Sequence, residues 1–443
     1  MTRTPRVTRP TQARNTNGAA LFQLLITTPL SRAEIATRLG LTQGAVTRIA
    51  AALMDAGLLR ELGPVSKSPS AIAGPDAVPG ATAETPEYNP VLGRSCGDAR
   101  NRPDPDSHRT GTSIQALNAR STQGGRPRVP LAIVPDARFA IGVHFGLQWT
   151  TVGLVNLQGE CVTWRRHERD PSDVTTTLRE ASVLVDEVAA GAPGPVIGVG
   201  ATTGGWVDPT SGVVRANEAL GWREVSLAER FGAQVGPPVT VDSHVRSETL
   251  AELLFGAART VSDIAYLFVG NVLELGLSVN REVRVGVAGA EGSVADLIVP
   301  AGDRAAPNKY VRLGDVATDR AVLAAARRSK TVTARDGIAE LAALASRGVT
   351  AREQRADAIL RERATRIGGA VAQLMTLLDP ELMVVGGSVP AYLDDVRAVV
   401  ARLTGRWGSA ERIVASGLGE QPLVTASAAA VLVGFYDDPV GWN

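Results

Sequence analysis

Cysteine is almost missing from these 443 residues: Cys96 and Cys161 stand alone in unlike surroundings. Neither sits in a CxxC pair or has a histidine at ligand spacing, so no disulfide scaffold and no zinc site is expected. A reducing cytoplasm suits that scarcity. An excess of charge of one sign is also lacking. The formal balance is +1, which offers no molecule-wide field to nucleic acid or to a membrane, so any DNA-binding face has to be local. Long apolar runs are absent too. No stretch approaches the ~18 residues of a membrane span, and the arginine-rich N-terminus leads into no clean apolar run before a small-residue cleavage site. A soluble, cytoplasmic protein with no membrane partner is expected.

What is present is segregated. At ~100–200 residues per domain the length calls for two or three domains. Residues 1–62 hold Arg3, Arg6, Arg9, Arg14, Arg32, Arg38, Arg48 and Arg60 against Glu34, Asp55 and Glu61, a balance of +5 that the remainder offsets with −4. Apolar spacing predicts helices over about 15–28, 31–39 and 42–56. Ser31 with Glu34 makes a capping box, Thr42 starts the third helix after the Gly40-Leu41 turn, and Gly57 stops it. Leu58 to Leu62 reads as a first wing strand, and its return is expected within Gly124 to Val134. Residues 64–121 between them are rich in Pro, Ser, Ala and Gly, have Tyr88 as their sole aromatic, and show no period, which predicts a disordered insertion at the wing tip. The expected division is a winged helix-turn-helix over 1–63, the insertion, a return strand and connector over 122–136, and a body over 137–443.

A recognition helix needs small or polar groups outward near its N-terminus and an apolar inner face. Gln43, Gly44, Thr47 and Arg48 against Val46, Ile49, Leu53 and Met54 meet that demand. Gln bonds adenine and Arg bonds guanine in the major groove. Arg14, Arg32 and Thr42 are placed for phosphates, and Arg126 and Arg128 for the minor groove or backbone. The competing account is a protein-interaction module whose polar face is merely solvated. The complete helix, turn, helix and wing, with the local positive balance, favours DNA.

From Arg138 onward apolar strands alternate with helical stretches, which predicts an α/β body, and the theme repeats after Ile264, which predicts two related lobes. Within it Ile141 to Gly159 reads as strand, Gly146 turn and strand. This chain resembles the ROK family, specifically its regulators with an N-terminal winged helix, such as repressors of xylose and N-acetylglucosamine genes. The resemblance is carried by SRAEIATRLGLTQGAVTRIAAALMDAGLLRE, VDPTSGVVRANEALGWREVSLAERFG and DPELMVVGGSVP, and it covers nearly everything outside 64–121. It implies an actin-like (ribonuclease H-like), two-lobed sugar-kinase body with a cleft between the lobes.

The resemblance also shows what has gone. Where such kinases have Asp, Gly and Thr in the first hairpin, this chain has His144, Gly146 and Gln148. The catalytic Asp of an Asn-Asp-Ala-Asn run is replaced by His244, and the glycine-rich second loop by Gly270-Asn271-Val272-Leu273-Glu274-Leu275-Gly276. Asp296 stands at the zinc-binding His and no cysteine follows; Ala219 and Ser293 replace sugar contacts. No metal, no cofactor and no catalysis are therefore expected. The remaining cleft is either a drifted scaffold or a rebuilt site in which Asp242, His244, Arg246, Glu274, Ser293 and Asp296 line a pocket for another small molecule, such as a modified or anionic sugar. Trp149, Trp206 and Trp222 are stacking candidates that equally suit a core. The expectation is a homodimeric or tetrameric regulator of an inverted-repeat operator on double-stranded DNA, most simply a repressor. Its rivals are a sugar kinase using His244 as base and a scaffold that binds no DNA.

Overall fold

The computed structural model describes residues 10–63, 129–169, 173–287, 289–290, 292–300, 310–405 and 410–442. The insertion expected over 64–121, and with it Arg126 and Arg128, lies outside these residues, and Arg14 lies in a helix whose first six side chains are likewise not described. No helix among the described residues is long and apolar enough to cross a membrane.

The head comprises α1 (Pro10–Leu25), β1 (Leu30–Ser31), α2 (Arg32–Leu39), α3 (Gln43–Asp55), β2 (Leu59–Glu61) and β3 (Pro130–Ile133). Local chemistry sets its boundaries. Ser31 Oγ accepts from Glu34 N–H while Glu34 accepts from Ser31 N–H at 2.9 Å, a reciprocal box that satisfies two orphan donors at the start of α2. Gly40, at φ 65°, ends that helix in the left-handed region. Thr42 Oγ1 then accepts from Ala45 N–H and opens α3. Val46, Ala50 and Leu53 bury one face of α3 against Phe22, Leu25 and Ile35. The wing is a sheet of order β1-β3-β2, in which the return strand supplies the middle position.

In the first lobe follow β4 (Phe139–Phe145), β5 (Trp149–Asn156), β6 (Cys161–Glu168), α4 (Val174–Ala190), β7 (Val196–Thr203), β8 (Trp206–Asp208), β9 (Val213–Asn217), β10 (Trp222–Ser226), α5 (Leu227–Gly232), β11 (Val239–Ser243) and α6 (His244–Leu254). The second lobe has β12 (Ile264–Val269), β13 (Leu273–Val279), β14 (Glu282–Val283), β15 (Ile298–Pro300), β16 (Tyr310–Arg312), α7 (Gly314–Ala317), α8 (Asp319–Arg328), α9 (Ile338–Ala345), α10 (Ala351–Leu378), β17 (Leu382–Gly387), α11 (Leu393–Thr404) and β18 (Ile413–Ala415), before α12 (Pro422–Asp437) returns to the first.

The two main sheets repeat one design. One runs β11-β7-β4-β5-β6 and the other β18-β17-β12-β13-β14, each with an antiparallel hairpin at the centre and two parallel strands on one side. The first element of each, the β4–β5 or β12–β13 hairpin, turns toward the cleft. α12 packs across β4 and β7 so closely that a Cβ on Gly142 or Gly200 would run into the backbone carbonyl of Val424 or Ser427. That absence of side chains lets a helix lie against the sheet. The same helix carries Phe435 and Tyr436 into contact with Phe22 of α1, at ring-centre distances of 5.9 and 5.6 Å, so head and body share one apolar core. The first helix, expected over about 15–28, runs over Pro10–Leu25 instead. Ser243 caps α6 through Arg246 N–H, so that helix begins at His244.

Candidate functional site

On the head, Thr42, Gln43, Gly44, Thr47 and Arg48 are all exposed, while Val46 and Ala50 on the opposite side are fully buried. The first two turns of α3 thus present a polar stripe. Thr47 Oγ1 donates to Gln43 O at 2.8 Å, which fixes its rotamer and leaves its oxygen lone pairs outward. Thr42 spends its hydroxyl oxygen on the cap. Arg32, expected to reach a phosphate, is held by Glu61 of the wing at 2.7 Å. Arg38 and Arg60, counted in the charge but assigned no role from the sequence, are exposed. Their signal was the local excess of arginine.

Between the lobes lies a cleft with two connected chambers that share Leu147, Asn217, Ala219, Asn271 and Val272. The inner chamber, about 360 Å3, is walled by His144, Phe145, Trp149, Leu220, His244, Phe268 and Leu423 among others, with Gln148 on its rim. The outer chamber, about 700 Å3, includes Glu274, Ser293 and Asp296. The six residues expected to line one pocket are therefore distributed. His244 belongs to the inner chamber and Glu274, Ser293 and Asp296 to the outer. Asp242 and Arg246 line neither: Arg246 is 2% exposed, pairs with Asp242, and donates to Val207 O at 2.8 Å and Gly289 O at 3.4 Å. It braces α6 against the neighbouring loops. Asp296 is tied to Arg312 at 3.2 Å near the surface, and Ser293 forms a bridge with Glu274.

His244 is locked. Its Nδ1 lies 3.0 Å from Glu248 and its Nε2 3.0 Å from Glu274. Burial alone would push the imidazolium down, but the Glu274 charge beside it, with the hydrogen bond to Glu248, carries it up to about 10. Glu274 also accepts from Gly205 N–H at 3.1 Å, and Glu248 from the Tyr266 hydroxyl at 2.8 Å. His144 is the opposite case. Burial, then the nearby His244 charge, pushes it down to about 3. Its tautomer follows from a chain of hydroxyls: Ser427 donates to Leu423 O, so Thr202 donates to Ser427 and accepts from His144 Nδ1–H at 3.2 Å. Nε2 is left as a bare acceptor.

At the far wall Asp319 takes Arg363 at 2.7 Å and the Ser388 hydroxyl at 2.6 Å. Sequence reading missed this trio and the carboxylate Glu248. The latter was legible as the i+4 neighbour of His244 on one helix face; the trio joins three distant segments and left no local signal. Of the tryptophans, Trp149 lines the inner chamber with Arg166 stacked 4.4 Å from its ring centre, Trp222 is 1% exposed core, and Trp206 is exposed. Among the described residues no cluster of His, Cys, Asp or Glu could hold a metal ion.

The sequence pattern of the ROK family matches residues 140–430. A transcriptional regulator of Mycobacterium tuberculosis is 30% identical over 336 residues, covering 72% of this chain and 74% of its own length. The xylose repressor of Bacillus subtilis is 21% identical, covering 71% and 83%. Among solved structures, a ROK family transcriptional regulator, a homolog of the E. coli MLC protein, superposes with a TM-score of 0.65 at 20% identity over 97% of this chain and 98% of that one. A ROK family glucokinase from Streptomyces griseus, in complex with glucose and AMPPNP, gives 0.54 at 23% identity over 66% and 98%.

Proposed function

Since this chain belongs to the ROK family, we propose that it is a sequence-specific DNA-binding transcriptional regulator, a repressor, whose kinase-type body holds two heads at operator spacing and takes an effector instead of phosphorylating one. The observation that carries the DNA reading is the exposed stripe Gln43, Gly44, Thr47 and Arg48 on the first turns of α3, inside a head with turn and wing in place. Relatives named as regulators and as a repressor support it. Helix-turn-helix proteins read the major groove with such a stripe, and a dimer reads two half-sites.

The non-catalytic reading rests on His244. A general base must have a lone pair within reach of the substrate proton. An imidazolium with both nitrogens turned to carboxylates has none, and Glu274 adds negative charge beside the second hairpin, where phosphate would have to approach. An effector seated between the lobes that prefers one lobe arrangement would shift the heads through the core shared by α1 and α12, because a ligand moves an equilibrium only by its differential affinity.

The test is selection of genomic fragments by the purified full chain at a fixed near-physiological salt, run beside Arg48→Ala. The expected result is a shared inverted repeat that the variant loses. No enrichment, or equal enrichment by the variant, would return the kinase and scaffold readings; a coupled ADP-release assay over a sugar panel then separates those two, and turnover abolished by His244→Ala would establish the kinase.

A further inference from the structure

The inner chamber is nearly spent as a polar site. Asn217 uses both amide protons on Thr203 Oγ1 and Gly204 O and its oxygen on Leu220 N–H. Asp319 Oδ1 and Ser388 are engaged with each other and with Arg363, which is 1% exposed at its side chain. His244 is neutralised by Glu248 and Glu274. Ala219, shared by both chambers, has no polar side-chain group to offer. What remains is the bare Nε2 of His144 and the Thr151 hydroxyl amid Phe145, Trp149, Leu220, Phe268 and Leu423, with Gln148 and Asn271 exposed on the rim.

Such a wall is poorly matched to a hexose or a sugar phosphate. Each buried sugar hydroxyl needs a partner, and an unpaired one is costly. A phosphate would meet the Asp319 and Glu274 carboxylates, and the nearby cations, Arg363 and His244, are already paired. Cavities of this volume that are mainly apolar with a few placed polar groups suit compact, largely apolar ligands.

We propose that the inner chamber binds an uncharged, flat, mainly apolar molecule carrying a hydrogen-bond donor that ends on His144 Nε2. Aromatic walls from Phe145, Trp149 and Phe268 receive the ring, and the imidazole acceptor orients it. This deepens the reading of the cleft as an effector site and rests on that reading. It names a ligand chemistry different from the modified or anionic sugar expected from the sequence.

Calorimetric titration of the full chain without DNA tests it, with four probes: indole, which is flat and has one N–H; benzofuran, nearly the same shape with no donor; glucose; and glucose 6-phosphate. Indole is expected to bind, benzofuran roughly three- to tenfold more weakly, as the loss of one hydrogen bond implies, and the two sugars not measurably. In His144→Phe the preference for indole over benzofuran should vanish; the comparison of probes on the unaltered chain stands even if that variant does not fold. No binding of indole, equal binding of indole and benzofuran, or tighter binding of either sugar would overturn the proposal. Because DNA is absent from this titration and indole from the fragment selection, failure here leaves the operator reading standing, and failure there leaves this one.

Discussion

His144 and His244 stand 5.7 Å apart, ring centre to ring centre, in opposite protonation states. Their linkage to folding has opposite signs. His244 is raised from 6.5 to about 10, so its stabilisation is full below pH 6.5 and is lost as pH rises through 10. His144 is lowered from 6.5 to about 3, so its contribution is present above 6.5 and is lost as pH falls toward 3. Melting followed across pH 3 to 10 should show both limbs; His244→Gln should flatten the alkaline limb and His144→Gln the acid one. An alkaline slope unchanged in His244→Gln would mean the lock does not form. At neutral pH, His244→Phe strands two buried carboxylates and should cost about 3–5 kcal/mol, read by denaturant titration. At this scale His144 and His244, singled out in the sequence, both line the inner chamber. The sequence misled at Asp242 and Arg246, because a polar residue beside a cleft strand gives no indication of whether it faces the cleft or braces the helix behind it.

At the scale of elements, glycine decides two opposite outcomes. Gly200→Ala would drive a methyl into the Ser427 carbonyl of α12, an overpacking expected to cost about 1–3 kcal/mol or more. Gly369, inside α10, has nothing within 4 Å of where its Cβ would be, so Gly369→Ala should stabilise by about 0.5–1 kcal/mol through helix propensity. Midpoints of chemical unfolding for the pair check both signs; a neutral Gly200→Ala would show that α12 can lift from the sheet. Caps follow the same logic: Thr42→Ala should cost about 1 kcal/mol of head stability quite apart from any effect on DNA. Capped and periodic segments such as α2, α3 and β12 were readable in the sequence. α12 was not, because PLVTASAAAVLVGFYD is apolar on nearly every face, buried by the sheet on one side and the head on another, and so shows no period. β6, with five exposed residues in succession, lacked the buried face that marks a strand.

For the whole molecule, the decisive contact is Phe22 against Phe435 and Tyr436. Phe22→Ala should remove about 3–5 kcal/mol from the shared core and split one calorimetric transition into two, the head melting first. A single transition at lower temperature would mean that the head and body remain one cooperative unit without that ring. The duplicated sheets explain how the lobes could be anticipated from a repeated strand–helix rhythm, whereas the joining of head to body could not, since it depends on residues more than 400 positions apart, as in the hydrogen bond from Gln23 to Asp437. The middle strand of the wing has its own consequence. Because β3 pairs with both β1 and β2 but follows residues 62–129 in the chain, a ribosome making roughly 5–20 residues per second must work on for several seconds after Glu61 before it delivers Pro130–Ile133. During that interval the nascent head has α3 but no closed wing, and Leu59, which pairs with Ile133 in the finished sheet, lies uncovered at an open strand edge.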